Sequence, residues 1–286
     1  MAHIAFLGTG LLGSAFAEAA AKRGDTVTAW NRSAAKAQAL AQFGVKAAAT
    51  PADAVRGAAR VHLILKDDGV VDEVIAAARA GLNADAVIID HSTTLPKLTA
   101  ERAARLAAAG VKYLHCPVFM GPPAARSAQG SMIVAGPKAL FESVKTELSK
   151  MTGKLNYLGE RSDLAAANKL FGNALFIGTW AVLADVLTLA KACDVAPGDA
   201  IDVLKSIDMN AAIAGRGASM ARGDFKPNFE LTMALKDVTL MLDTADGLPM
   251  ATLPGIAARM DQLIDAGHGE RDASVLAIEA VTHSRA

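Results

Sequence analysis

The sequence predicts an α/β protein: a doubly wound parallel sheet over residues 1–160, followed by an all-α C-terminal domain over residues 161–286. Three observations carry that prediction. Short apolar runs alternate with helical patterns through the first half, as expected of strands joined by crossover helices. A run of glycines follows the first apolar segment directly and opens the first helical one. Past Gly159 the texture changes, and every later segment reads helical.

In chain order, His3–Leu7 reads as the first strand and Leu11–Arg23 as the first helix. Thr26–Trp30 and Ala34–Phe43 are the next pair, then Val61–Leu65 and Val70–Ala80. Ala86–Asp90 is the fourth strand, with Leu98–Ala109 as its helix. Lys112–Cys116, Ser131–Ala135 and Lys154–Leu158 complete the strands, with a helix at Pro137–Met151. One long, largely apolar helix runs from Ser162 to about Ala192. Clusters at Ala196-Pro197-Gly198, Gly215-Arg216-Gly217 and Gly247-Leu248-Pro249 divide the helices that follow.

At 286 residues the chain is long enough for two cores. Its 29 basic and 29 acidic residues balance, so neither a nucleic acid nor an anionic membrane surface meets a basic field. The two cysteines, Cys116 and Cys193, lie far apart in apolar surroundings; they exclude a disulfide framework and suit a reducing compartment. No charged region precedes an apolar stretch at the N-terminus, and no segment approaches the roughly 18 uninterrupted apolar residues of a membrane span. The expectation is a cytoplasmic protein with no membrane partner. The six histidines show no H-x-x-x-H spacing and the cysteines no C-x-x-C, so no metal site is expected.

The glycine run is Gly8-Thr9-Gly10-Leu11-Leu12-Gly13, the G-x-G-x-x-G of a dinucleotide-binding Rossmann loop. Gly8 permits the tight turn, Gly10 lets the backbone approach a pyrophosphate, and Gly13 allows close packing of helix on strand. The helix N-terminus offers the anion unpaired N–H groups and the positive end of its dipole. Cofactor choice turns on the end of the second strand, Trp30-Asn31-Arg32-Ser33. NAD-binding loops grip the ribose 2′-hydroxyl with a carboxylate at that place. None is present, and Arg32 offers a planar fork to a 2′-phosphate, so NADP is the expected cofactor. Asn31 and Ser33 beside it, and Leu65 and Lys66 at the end of the third strand, are further cofactor candidates.

Ser92 and Thr93 follow Asp90-His91 at the carboxyl end of the fourth strand, facing the crevice where such sheets bind ligands. They are candidates for the nicotinamide ribose or the substrate; a helix cap or turn would use the same residues. Lys169 and Asn173 lie four apart in the long helix and so share a face, amid apolar neighbours. A buried lysine needs a partner or a task. A lysine reaching back to the surface is the alternative.

Together these residues resemble the β-hydroxyacid dehydrogenase family, which includes 3-hydroxyisobutyrate dehydrogenase and the glyoxylate and succinic semialdehyde reductases. The similarity spans nearly the whole chain. It includes the G-x-G-x-x-G, the D-x-S-T run Asp90–Thr93, the K-x-x-x-N pair Lys169 and Asn173, and the segment Phe229…Lys236-Asp237. Gly267–Ser274 looks like the family's closing G-x-G-x-x-D-x-S. The resemblance implies an NADPH-dependent oxidoreductase acting on a small aldehyde or keto acid, or on a 3-hydroxyacid in reverse. Lys169 would be its general acid and base, and Asn173 would orient the substrate. Lys236 would lie near the cofactor, with Phe229 and Asp237 in the substrate pocket. So apolar a helical half suggests a homodimer or homotetramer formed through it.

One departure stands out. The family's substrate loop reads D-A-P-V-S-G-G, whereas this chain has His115-Cys116-Pro117-Val118-Phe119-Met120-Gly121. The ring of Phe119 replaces a hydroxyl donor, and Met120 disfavours the positive φ a glycine permits. Phe119, Met120 and Gly121 therefore frame a more apolar substrate pocket. Arg126 either restores a positive charge there or is a surface arginine. The change keeps two alternatives in view: an imine reductase-like NADPH enzyme, from a related group generally lacking the lysine, and a non-catalytic NADP-binding protein. A 6-phosphogluconate dehydrogenase would be much longer.

Overall fold

The computed structural model describes residues 2–282. β1 (His3–Leu7), α1 (Leu11–Lys22) and β2 (Thr26–Trp30) open the chain. α2 (Ala34–Gln38), β3 (Lys46–Ala47) and α3 (Pro51–Val55) follow, then β4 (Arg60–Leu63) and α4 (Asp68–Ala78). β5 (Val87–Asp90), α5 (Pro96–Ala108) and β6 (Lys112–His115) complete a six-stranded parallel sheet, ordered β3-β2-β1-β4-β5-β6. Alternate residues of β1 serve opposite faces. Ile4 and Phe6 join one core with Phe16 and Ile89, while Ala5 and Leu7 join another with Leu63 and Ile75. Cover on both faces is why these strands read as unbroken apolar runs. Strand order reverses between β1 and β4, so the carboxyl ends of those strands flank the ligand crevice of a Rossmann sheet.

Two of the expected strands lie outside that sheet. β7 (Val118–Phe119), β8 (Ser131–Val134) and β9 (Lys154–Tyr157) form a separate three-stranded sheet, with β7 antiparallel to β8 and β8 parallel to β9. The connections decide this. A parallel pair needs a crossover of about a dozen residues, usually helical. Only the five-residue α6 (Pro122–Arg126) separates β7 from β8, so β8 turns back and meets β6 in an antiparallel bridge between His115 and Ala135. α7 (Lys138–Ser149) then supplies the crossover to β9. The helix expected over Ala34–Phe43 is split: its second half is a 3₁₀ turn stopped by Gly44, whose φ is +80°. β3, α3, β7 and α6 were too short to show a period in the sequence.

α8 (Leu164–Ala192) is the long helix. Contacts divide the chain after Ala174, inside α8. The second unit carries α9 (Pro197–Leu204), α10 (Met209–Ala212), α11 (Ala218–Ala221), α12 (Leu231–Ala245), α13 (Leu253–Leu263) and α14 (Ile278–Thr282). Its core packs Leu231, Ala234 and Val238 of α12 against Met260 and Leu263 of α13 and Val275. Two buried carboxylates brace it. Asp185 accepts hydrogen bonds from the backbone N–H groups of Ala251, Thr252 and Leu253, donors that a helix start leaves unpaired. Burial alone would raise the pKa of Asp272, but hydrogen bonds from Ser274, Asn228 and Phe229 outweigh it and hold the value at about 2.

The surroundings of Lys169 and Asn173 depart from expectation. Leu170, Phe171, Leu175 and Phe176 are exposed on the single chain, with Phe171 at 67%. By length and composition α8 could also cross a membrane, with a mean hydropathy of 1.6 over 18 residues, although the sequence reading expected no such segment. Lys169, Asn173 and Asp185 interrupt it.

Candidate active site

The glycine loop is fixed by its own backbone. Gly8 sits at φ +99°, and a Cβ there would lie 2.2 Å from the carbonyl oxygen of Ile64. A Cβ on Gly13 would lie 1.9 Å from the carbonyl oxygen of Gly8, so strand and helix approach more closely than any side chain permits. A Cβ on Gly10 would meet nothing within 4 Å. Gly10 is also the N-cap of α1 and provides no capping side chain, which leaves the first-turn N–H groups open beside that space. Thr9 N–H donates to Asn31 Oδ1 at 3.0 Å, and Asn31 Nδ2 donates to the carbonyl of Ser33 at 3.1 Å, so Asn31 ties the loop to the end of β2. The hydroxyl of Thr9 is buried without a partner. An orphaned hydroxyl, an open glycine and a bare helix start fit a dinucleotide pyrophosphate.

Around this loop the other candidates separate by role. Ser92 Oγ accepts from Leu65 N–H at 3.0 Å, and Ser92 N–H donates to Asp90 Oδ1 at 2.9 Å. Ser92 therefore braces β4 against β5 and caps no helix. Thr93 and Lys66 are exposed at the same strand ends, and Leu11 and Leu12 form the outer turn of α1. Arg32 is exposed and pairs with Glu73 of α4 at 3.1 Å.

Beneath the strand ends runs a buried histidine array that sequence reasoning missed. His91 Nδ1 lies 2.7 Å from the carbonyl oxygen of Cys116, so that nitrogen carries the proton. Its Nε2 then accepts from His62 Nδ1 at 2.9 Å, leaving His62 Nε2 a bare, unpartnered lone pair. His115 Nε2 donates to the carbonyl of Ser92 at 2.9 Å. Burial pushes all three imidazoles down in pKa, His91 to about 4, so each is neutral near pH 7. Burial raises the Cys116 thiol, which makes it a packing group and not a nucleophile. Tyr113 donates to Asp90 at 2.8 Å. No cluster of three or more His, Cys, Asp or Glu able to hold a metal occurs among the described residues.

The lysine faces the loop after β6. Lys169 Nζ donates to the carbonyl oxygen of Val118 at 2.7 Å and stands 4.4 Å from the centroid of the Phe119 ring. Burial lowers its pKa, and it forms no ion pair among the described residues. The ring fits because residue 172 is glycine: a Cβ there would lie 2.4 Å from ring atoms Cε1 and Cζ. Asn173 is half-buried one turn onward. Met120 is half-buried, and Gly121 is the N-cap of α6. Arg126 is spent on Glu18, donating at 2.7 Å and tying α6 to α1. Phe229, Lys236 and Asp237 belong to the helical unit. There Phe229 N–H donates to Asp272, and Lys236 pairs with its neighbour Asp237 at 2.9 Å.

Residues 3–159 match a family model described as the NAD binding domain of 6-phosphogluconate dehydrogenase. Residues 164–279 match one described as NAD-binding of NADP-dependent 3-hydroxyisobutyrate dehydrogenase. The chain belongs to the β-hydroxyacid dehydrogenase family. It is thus an oxidoreductase built on an NAD(P)-binding domain, and its second half sets it apart from 6-phosphogluconate dehydrogenase itself. An uncharacterized oxidoreductase of Shewanella frigidimarina is 29% identical over 265 residues, covering 88% of this chain and 90% of that one. Among solved structures, an imine reductase from Myxococcus stipitatus in complex with NADP+ superposes with a TM-score of 0.88 at 20% identity, covering 98% of this chain and 100% of that one. An imine reductase of Streptomyces aurantiacus gives a TM-score of 0.87 at 27% identity, over 97% of this chain and 99% of that one.

Proposed function

We propose that the protein is an NADP-dependent reductase of small carbonyl compounds, with Lys169 as the proton donor and Asn173 orienting the substrate. The observation that carries this reading is the half-buried lysine ammonium held against Val118, with no counter-ion among the described residues. A purely structural lysine would be expected to reach water or a carboxylate. Gly8–Gly13, Thr9 and Asn31 would hold the cofactor, with Arg32 at its 2′-phosphate and Thr93 and Lys66 at the strand ends. When bound, the nicotinamide supplies the hydride.

The protein's own part is to meet the negative charge that develops on the substrate oxygen. The Lys169 ammonium stabilises that charge and delivers the proton. A burial-lowered pKa makes it a readier acid than a solvated lysine. Reduction therefore runs well near neutrality, and the reverse oxidation, which needs the free amine, favours alkaline pH. The apolar pair Phe119 and Met120 supports a second reading, in which the electrophile is an imine. The fold's likeness to imine reductases agrees with it. The exposed apolar stripe of α8 suits a second copy of the chain, which light scattering would detect as a dimer or tetramer.

NADPH consumption at 340 nm with a semialdehyde, a bulky ketone and a cyclic imine distinguishes these readings. Turnover of the semialdehyde or ketone supports the first, and turnover of the imine alone supports the second. Binding of NADPH with no turnover of any would favour a non-catalytic protein.

A further inference from the structure

We propose that Phe119 is the positioning residue for Lys169: its ring, seated on Gly172, and the carbonyl of Val118 together fix where the ammonium points. The geometry is specific. An ammonium has three N–H donors and no acceptor. The carbonyl of Val118 takes one at 2.7 Å. The ring of Phe119, 4.4 Å away at its centroid, takes the positive charge on a second side. One direction is left, and that is the line along which a proton can be given.

The ring is seated against the backbone of α8. It occupies the space that any side chain on residue 172 would need, 2.4 Å from an ideal Cβ. Val118 and Phe119 form β7, whose pairing with Met132 and Ser131 of β8 anchors both contacts to one rigid strand. Among the described residues no ionisable group acts on the ammonium. β7 carries none, and Ala165, Ala166, Gly172 and Asn173, which share the face of α8 with Lys169, carry none. Burial disfavours the charge, and the ring face, 4.4 Å from the ammonium, is the side-chain group placed to offset that cost. The phenyl at this place thus replaces an ionic partner with a π face. It holds the charge without neutralising it and without a proton of its own to lose.

The kinetic consequence rests on the reading of Lys169 as proton donor; the geometric claim does not. The test therefore has two readouts. The first is the Lys169 titration followed by NMR of ¹³C-lysine-labelled protein, assigned by its loss in Lys169→Arg. The second is the pH–rate profile of NADPH-dependent reduction. Phe119→Leu keeps an apolar side chain but removes the π face. Its Lys169 pKa should fall by roughly 0.5–1.5 pH units, with the alkaline limb of the rate following. Phe119→Tyr should restore both. Gly172→Ala displaces the ring with its chemistry intact, and should also move the lysine signal from its original value.

An unchanged Lys169 titration in Phe119→Leu and Gly172→Ala would overturn the proposal, leaving Phe119 as packing. A shifted lysine signal with an unmoved rate limb would uphold the positioning while removing Lys169 from proton transfer. Should Phe119→Leu not fold, Gly172→Ala and Phe119→Tyr still decide the matter.

Discussion

Two loops leave the carboxyl ends of parallel strands, one after β1 and one after β6, and different forces hold them. The first, Gly8–Gly13, is set by backbone meeting backbone, down to the 1.9 Å that forbids any Cβ on Gly13. The second, Cys116–Gly121, pairs its backbone with β8 but also depends on side chains from distant parts of the chain: the His91 ring on the Cys116 carbonyl, the Lys169 ammonium on the Val118 carbonyl, and the ion pair of Arg126 with Glu18 behind it. A backbone-defined loop tolerates few residue types and so leaves a signature in a row of letters. A loop that depends on remote side chains leaves no such signature, because its partners lie far off in the chain.

The largest test of the second loop is Lys169→Ala. If the lysine is the proton donor, kcat should fall by on the order of 10²–10⁴ while NADPH still binds, because the glycine loop is untouched. Stopped-flow turnover and a fluorescence titration measure the two halves separately. Near-normal kcat would leave the second loop as a substrate wall with no part in the chemistry.

That asymmetry also describes what the sequence made legible. The parallel sheet, its strand ends and the glycine loop followed from apolar runs and from glycine spacing, which are local. Lys169 stood out as a polar residue in an apolar helix, but its contacts did not. Val118 lies 51 residues away, and only folding shows that its carbonyl is the partner. Phe119 read as a lost hydroxyl, whereas in place it is the face on which the ammonium rests. The histidines gave no spacing signal because their hydrogen bonds join strands 29 and 25 residues apart. β8 and β9 were legible as strands yet not as a separate sheet, since pairing depends on the length of the connection and not on the run itself.

Acidification should reach the second loop through its root. His91 is neutral in the folded protein down to about pH 4, whereas in the unfolded chain it takes a proton near 6.5. A lowered histidine pKa means that stability is complete above about pH 6.5 and is lost as pH falls toward 4. For His91 the loss is about 3 kcal/mol across that window, and His62 and His115 act in the same direction. Urea unfolding at pH 7.5 and pH 4.5 measures it. A flat profile would mean that the imidazoles are not buried neutral. His91→Leu should flatten part of the slope while lowering stability at pH 7.5.

Within the first loop, two glycines should fail in different ways. Gly13→Ala drives a Cβ into the Gly8 carbonyl and should cost about 1–3 kcal/mol of stability even without cofactor. Gly10→Ala meets nothing in the protein and should leave the melting temperature unchanged, yet weaken NADPH by intruding on its approach. Equal behaviour of the two variants in melting and in NADPH titration would show that close helix–strand contact and ligand approach are not separate duties.

The smallest effect tests the edge of the same loop, where backbone definition gives way to charge. Arg32 and Glu73 are both about two-thirds exposed, and a pair so placed is worth roughly 0–1 kcal/mol. Such a contact is easily surrendered to a 2′-phosphate, which offers the guanidinium a stronger, bidentate partner. Arg32→Ala should therefore weaken NADPH about tenfold, at the low end for a charged hydrogen bond because the site is exposed, and leave NADH unchanged. Glu73→Gln should tighten NADPH by a few-fold at most, by removing a competitor for the guanidinium. Both effects should shrink in high salt, as interactions between exposed charges do. Equal losses for NADPH and NADH in Arg32→Ala would place the arginine outside the cofactor's reach and leave its pairing with Glu73 as its whole role.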